Sequence, residues 1–338
     1  MKTLLRNPAI KTVLGATIFA SLMLGTSIAS AAKITINLGY AAAKTSTYAI
    51  LADKFEALAE KYSNGTLDVK VRCCAQLVTE DEAFKAMQLG TVDMSIITGN
   101  NISPHFPLMD AFVLPYIFQS KEHTYKVLDG KVGKDFAAKL QAATGVYLLT
   151  YGFVGDRDFY NSRGPINTMA DMKGLKVRVP KNAVMIATFK AFGAAPIPLA
   201  WADTPTALQT GTVDGADNGT SFIKSQKFYE IMKNLAILEH FSYFSPLFAS
   251  SRMMNKLDDA QKSAVLKAAS EAGLYHRKVM TAKISGIRKF LTTTGGMKLT
   301  LPDKTDFIKA AMKVQDTFAA EKGPEFKALV AAIRAEAK

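Results

Sequence analysis

The sequence predicts an α/β protein built as two lobes, and three observations lead there. Segments with period-two alternation take turns with segments of helical period, which is the pattern of a wound sheet. The stretch AMQLGTVDM at residues 86–94 returns 121 positions later as ALQTGTVDG at 207–215, sharing six of nine residues and the whole Gly-Thr-Val-Asp run. The chain, at 338 residues, also exceeds the size at which a single hydrophobic core keeps growing.

At the N-terminus, Lys2, Arg6 and Lys11 precede an apolar run over 13–28 that ends in Ala29-Ser30-Ala31. A basic start, a short apolar run and a small-x-small site predict a secretory signal cleaved near Ala31, with the mature, exported chain starting near Ala32. The run is too short to favour a spanning helix, and no later stretch has 18 uninterrupted apolar residues.

Residues 34–38 alternate as a strand, 46–63 carry apolar residues at helical spacing, and 67–73 alternate again. Residues 80–89 read as a helix stopped by Gly90, followed by an apolar strand over 92–97 broken only by Asp93 and Ser95. The second copy has the same form: Ala207-Leu208-Gln209 ends a helix, Gly211 turns the chain and Val213 opens a strand. Each glycine permits a left-handed turn, and Asp93 and Asp214 stand where a carboxylate accepts backbone N–H groups at the strand entrance. Between the copies Pro115 breaks an apolar stretch, a helix follows from about Lys121, and 146–151 and 176–179 read as strands. From 258 to about 294 there is no proline and only Gly273 and Gly286, so one helix of roughly 50 Å is expected, long enough to tie both lobes. The tail from Asp303 reads as amphipathic packing helices.

Composition narrows the function. The formal charge of +13 falls to +10 once Lys2, Arg6 and Lys11 are removed, and the remaining cations are scattered among acids without a basic run, which argues against nucleic acid. Such a field draws small anions toward a cleft. His105, His123, His240 and His276 share no metal-ligand spacing, and HExxH, GxSxG, Walker and GxGxxG motifs are absent. No enzyme activity, catalytic residue, metal or cofactor is therefore expected. Cys73 and Cys74 are neighbours that point to opposite faces of an extended segment, so they are expected as two separate thiols.

In MKGLKVRVP, residues 172–180, Gly174 and Pro180 bracket a short strand with Leu175, Val177 and Val179 on one face and Lys176 and Arg178 on the other. The pattern alone leaves Arg178 either on a solvated face or in a site.

DMKGLKVRVPKN, IPLAWADTPTALQTGTVDGADN, LMDAFVLPYIF and QLVTEDEAFKAMQLGTVDM together resemble the solute-binding proteins of tripartite ATP-independent periplasmic (TRAP) transporters, the DctP-like family. The resemblance implies a two-lobed periplasmic binding protein fold, with the ligand in the cleft and a long helix crossing both lobes. Lobe I would comprise 32–155 and about 244–283, and lobe II 156–243 and about 284–338. It implies a monomer without cofactor that captures a small organic acid and delivers it to the small and large membrane permease subunits. An exported organic-acid sensor docking on a sensor kinase would use the same chemistry.

By the same resemblance Arg178 matches the arginine that pairs with the ligand carboxylate, and a planar guanidinium is suited to two parallel charge-assisted hydrogen bonds. Asn218 matches a polar partner of that carboxylate, Arg157 a second arginine, and Trp201 an aromatic ring beside the ligand. One residue more separates Arg157 from Arg178 than in the sialic-acid binders. Those relatives carry Asn where Ala41 stands and Glu where Thr98 stands, so sialic acid is disfavoured. Tyr40, Glu80, Thr98 and Asn100 are the candidates for distal contacts. Two cleft arginines would suit a four-carbon dicarboxylate or a hydroxy or keto acid, and Trp201 as a platform would suit a sugar acid or an aromatic carboxylate.

Overall fold

The computed structural model describes residues 33–337, so the expected signal and its cleavage near Ala31 lie outside the described residues. Among these, nine strands form one sheet: β1 (Ile34–Gly39), β2 (Leu67–Arg72), β3 (Met94–Ile96), β4 (Val146–Asn161), β5 (Lys176–Val179), β6 (Ala195–Pro198), β7 (Gly215–Gly219), β8 (Asn234–Ser250) and β9 (Lys298–Thr300). Their order is β2-β1-β3-β8-β4-β7-β5-β6, with β9 beside β8. β2, β1 and β3 run parallel at one end, and β7, β5 and β6 run parallel at the other. Between them β8 and β4, of 17 and 16 residues, lie antiparallel to each other and to β3 and β7. Each parallel set is the sheet of one lobe, and the two long strands run between them.

The repeat is one structural unit used twice. Helix α1 (Thr47–Tyr62) follows β1, and helix α2 (Glu80–Leu89) ends at Gly90, whose φ is 70°. In the second copy the helix Thr204–Gln209 leads to Gly211 at φ 72°. The Val92 N–H donates to the Ala86 carbonyl at 3.4 Å, and the Val213 N–H to the Ala207 carbonyl at 3.3 Å. Asp93 Oδ2 accepts from the Asn37 N–H of β1 at 3.0 Å, and Asp214 Oδ2 from the Lys176 N–H of β5 at 2.8 Å. Their carbonyls accept from Ser250 and Ser162, at 2.8 and 2.9 Å. Each aspartate thus fastens its turn to the middle strand of its parallel set. These bonds occupy Val92, Asp93, Val213 and Asp214, so β3 and β7 start later than the apolar pattern suggests.

One helix of 35 residues, Asp259–Thr293, occupies the region expected to form it. It begins with a capping box in which Asp258 accepts from the Gln261 N–H and Gln261 Oε1 from the Asp258 N–H. Along its length it packs on α1, on β4 and on the helix Thr220–Ser225. His276, buried, accepts at Nδ1 from the Phe153 N–H, so its Nε2–H faces the Thr47 carbonyl 3.0 Å away. Twelve residues on, Arg288 binds Asp158 of β4 at 3.1 Å and Glu239 of β8 at 2.8 Å. Glu239 has φ 52°, within the bulge where four residues of β8 stand opposite Asp158. The tail divides its contacts: Thr305–Glu321 packs on Ala183–Ala191, and Gly323–Ala335 on Asp110–Val113 and Lys131–Thr144.

The cysteines differ from expectation. Cys73 follows β2, but Cys74 and Ala75 take φ of 62° and 58°, and the Gln76 N–H closes a turn on the Cys73 carbonyl at 3.1 Å. Left-handed backbone at Cys74 breaks the strand alternation, so the extended geometry expected of the pair ends at Cys73, and both remain free thiols.

Candidate functional site

The site lies where the strand ends of the two lobes meet. Arg178, the third residue of β5, is buried while Lys176 on the same strand is exposed, so the solvated-face alternative for Arg178 is wrong. Its Nε and Nη2 both donate to the Leu199 carbonyl, at 3.1 and 2.7 Å, and its guanidinium carbon lies 5.8 Å from the centre of the Trp201 ring. Among the described residues no carboxylate pairs with it. Burial and the like charge of Arg157 push its pKa below the ordinary arginine value, without approaching the point at which a guanidinium deprotonates.

Arg157 is in a different state. On β4, and also buried, it donates from Nε to Asp217 Oδ2 at 2.6 Å and from Nη2 to Asp217 Oδ1 at 3.0 Å and the Asp217 carbonyl at 2.6 Å. It also lies over Tyr243, 4.9 Å from the ring centre. Burial would raise the Asp217 pKa, but Arg157 and the hydrogen bond from His240 hold it well below the usual carboxylate range. His240 is fully buried among Phe189, Phe192 and Phe241, with Nε2 3.2 Å from Asp217 Oδ2 and Nδ1 unpartnered. This fits a neutral ring that donates from Nε2, and burial lowers its pKa accordingly. The pairing of β4 with β7 runs from Arg157↔Gly219 to Asn161↔Gly215, which places Arg157 beside the end of β7.

Asn218, buried on β7, accepts the Gly219 N–H with its Oδ1 at 3.0 Å, and its Nδ2 has no acceptor among the described residues. Trp201, half-buried, meets Phe222 and Phe228 edge-on at 5.8 and 6.1 Å. It lines a cleft of about 680 Å³ together with Ala41, Cys74, Glu80 and Lys181, which is the volume class of small-molecule sites.

From the first lobe, Glu80 enters at the N-terminus of α2. Its Oε1 accepts both the Thr98 N–H and the Thr98 hydroxyl at 2.9 Å, and burial raises its pKa despite those bonds. The Thr98 hydroxyl is committed to Glu80 and also accepts from Asn101, so Thr98 orients the carboxylate. Asn100 donates to Asn101 Oδ1, and its carbonyl accepts from Asn182 Nδ2 at 3.3 Å. Its side chain lines a narrow inner pocket with Arg157 and Tyr243. Tyr40 is buried edge-on against Tyr48 with its hydroxyl unclaimed by any described residue, and burial pushes that hydroxyl's pKa up.

Sequence reasoning passed over several residues that the fold brings here. Tyr48 of α1 and Tyr243 of β8, 195 positions apart, meet hydroxyl to hydroxyl at 3.2 Å. Asn182, just past β5, donates to Asp110 Oδ1 at 2.9 Å and so joins the two halves of the cleft. Asp217 stood one residue before Asn218, and the requirement that a buried arginine have an acid partner would have pointed to it. Among the described residues no group of three or more His, Cys, Asp or Glu is placed to hold a metal, and no helix is long and apolar enough to cross a membrane.

Two parallel-stranded lobes joined by long antiparallel strands, with a buried guanidinium on β5 that has no carboxylate partner among the described residues, define the class of two-lobed extracytoplasmic solute-binding proteins. Within that class the chain belongs to the DctP family, bacterial extracellular solute-binding protein family 7, whose family model matches residues 38–322. It is 33% identical over 295 residues to the 2,3-diketo-L-gulonate-binding periplasmic protein YiaO of Escherichia coli (strain K12), a match covering 86% of this chain and 89% of that one. To the C4-dicarboxylate-binding periplasmic protein DctP of Rhodobacter capsulatus it is 31% identical over 335 residues, covering 96% and 98%. The crystal structure of a TRAP periplasmic solute-binding protein from Polaromonas sp. JS666 bound to D-erythronate superposes with a TM-score of 0.85 at 32% identity, covering 90% of this chain and 99% of that one.

Proposed function

We propose that this chain is an exported, non-catalytic carrier of a small organic acid, with the acid's carboxylate seated on Arg178. The observation that carries this is the buried Arg178 guanidinium, which has a carbonyl and an aromatic ring for company and no counter-carboxylate among the described residues. Such a charge calls for an anion that matches its planar fork. Asn218, with Nδ2 to spare, is the second donor to that carboxylate.

The chemistry across the cleft narrows the class. Asp217 already neutralises Arg157, so Arg157 shapes the pocket and offers little charge to a second carboxylate. Glu80 lines the cleft with Trp201, the ring beside Arg178, and there it is an acceptor suited to a hydroxyl hydrogen and repelling an anion. Tyr40 and Asn100 add polar edges, and Trp201 a flat wall. We therefore place a hydroxylated monocarboxylate, a small sugar acid, ahead of a dicarboxylate, in line with the D-erythronate and diketogulonate named for the relatives.

Export through a signal cleaved near Ala31, residence in the periplasm and hand-over to small and large permease subunits complete the proposal. The lobes divide near residues 155 and 244, with the long helix crossing between them, and the helix Gly323–Ala335 lies on lobe I. A ligand touching both lobes stabilises their closed arrangement by its differential contacts.

The test is a thermal-shift screen of the chain from Ala32 against D-erythronate, 2,3-diketo-L-gulonate, hexuronates, hexonates and succinate. A binder well above its dissociation constant raises the melting temperature by mass action. A shift with hydroxy acids that is lost in Arg178→Ala supports the proposal. A shift of equal size in that variant ends it.

A further inference from the structure

The adjacent pair Cys73-Cys74 is not used by the carrier role. Its turn is unusual, because both central residues, Cys74 and Ala75, have positive φ and neither is glycine. Type I′ turns favour Asn and Gly at these positions because other side chains are strained there. The strain is held in place by three bonds: Cys74 N–H to the Ala42 carbonyl, Ala75 N–H to the Tyr40 carbonyl, and Gln76 N–H to the Cys73 carbonyl. The turn is therefore fastened to the loop that carries Tyr40. Cys74 is exposed and lines the cleft mouth with Glu80 and Trp201, while Cys73 is half-buried against the lobe core.

We infer that Cys73 and Cys74 are a redox pair that closes reversibly to a vicinal disulfide at the mouth of the ligand cleft, and that closure changes ligand affinity. The exposed Cys74 thiolate attacks a low-molecular-weight or protein disulfide, forming a mixed disulfide and releasing one thiolate. Cys73 then loses its proton and attacks the Cys74 sulfur, releasing the second thiolate. Two thiols are oxidised to one disulfide, and one external disulfide is reduced to two thiols. Neighbouring Cα atoms lie about 3.8 Å apart, closer than ordinary disulfides allow, so the ring is strained and more easily reduced than a structural bridge. The left-handed turn at Cys74 and Ala75 replaces the extended backbone that would hold the two side chains on opposite faces. The neighbouring Cys74 thiol, ahead of burial, raises the Cys73 pKa, which suits Cys73 to the second, intramolecular step.

The affinity half of this inference rests on the proposed carboxylate binding, but the ring chemistry does not. The chain from Ala32 is equilibrated with oxidised glutathione and compared with the dithiothreitol-treated protein by intact mass and maleimide labelling. Loss of two hydrogens and of both labels, reversed by dithiothreitol, is expected. Two persistent labels, a stable glutathione adduct, or a disulfide-linked dimer would overturn the pair. Cys73→Ser should trap glutathione on Cys74, and Cys74→Ser should form neither ring nor adduct. Thermal melts of both confirm that they fold. D-erythronate titrations of the two redox forms should differ at least threefold in dissociation constant, and equal values would overturn the link to the cleft. Failure of both forms to bind any acid would count against the carrier proposal, while the mass result would still decide the ring.

Discussion

Arg157 and Asp217, 60 positions apart, form a two-pronged ion pair at 2.6 and 3.0 Å, and His240 donates to the same carboxylate. The pair accounts for the difference between the two buried arginines. One is neutralised inside the protein, and the other has no counter-carboxylate among the described residues.

Arg178→Ala should weaken binding of the true ligand by about 3 kcal/mol, roughly 100-fold, with the fold retained. Arg178→Lys should recover part of this, because an ammonium keeps the charge and loses the fork. Titration calorimetry of the three proteins checks it, and a lysine variant equal to wild type would remove the bidentate geometry from the account.

Asp217→Asn should lower stability by about 3–5 kcal/mol, because it leaves the Arg157 charge buried and unpaired. Urea midpoints measure this. Any surviving folded fraction should bind succinate better relative to D-erythronate than wild type does, since Arg157 then has charge to offer. An unchanged ratio would mean that Arg157 does not face the ligand.

Glu80→Gln should reduce affinity for hydroxylated acids about tenfold, because a carboxylate acceptor is stronger than an amide. Affinity for the matching deoxy acid should fall less. Equal losses for both would place Glu80 in the support of Thr98 only.

The pH dependence of stability should carry a His276 contribution. Burial pushes this imidazole down to about 4, whereas the unfolded ring titrates near 6.5. The unfolded chain then takes a proton that the native state refuses, so this contribution is complete above about pH 6.5 and is lost as pH falls toward 4. Asp156, raised to about 6 mainly by burial, acts with the opposite sign, since stability from a raised carboxyl fades as pH rises. The comparison is therefore wild type against His276→Gln at pH 7.5 and 4.5. Wild type should lose up to about 3 kcal/mol more than the variant over that range, and parallel profiles would refute the assignment.

The sequence by itself determined the family, the twofold Gly-Thr-Val-Asp unit and the long helix, because each is written in local pattern. A helix period, a glycine at positive φ and a run of motif residues need no distant partner to be recognised. It did not disclose β8, whose residues are buried on both faces in the middle of the sheet and so lack the alternation of a half-exposed strand. It showed only the first six residues of β4, since the register shifts at Leu148, Phe153 and Arg157 break the period that would mark the rest. Which arginine is neutralised, which hydroxyls meet and how Cys73 faces Cys74 were decided by tertiary structure alone. Those outcomes depend on β4, β7 and β8 lying side by side and on a turn held by bonds to another loop. Contacts between residues 60 or 195 positions apart leave no periodic trace in the chain.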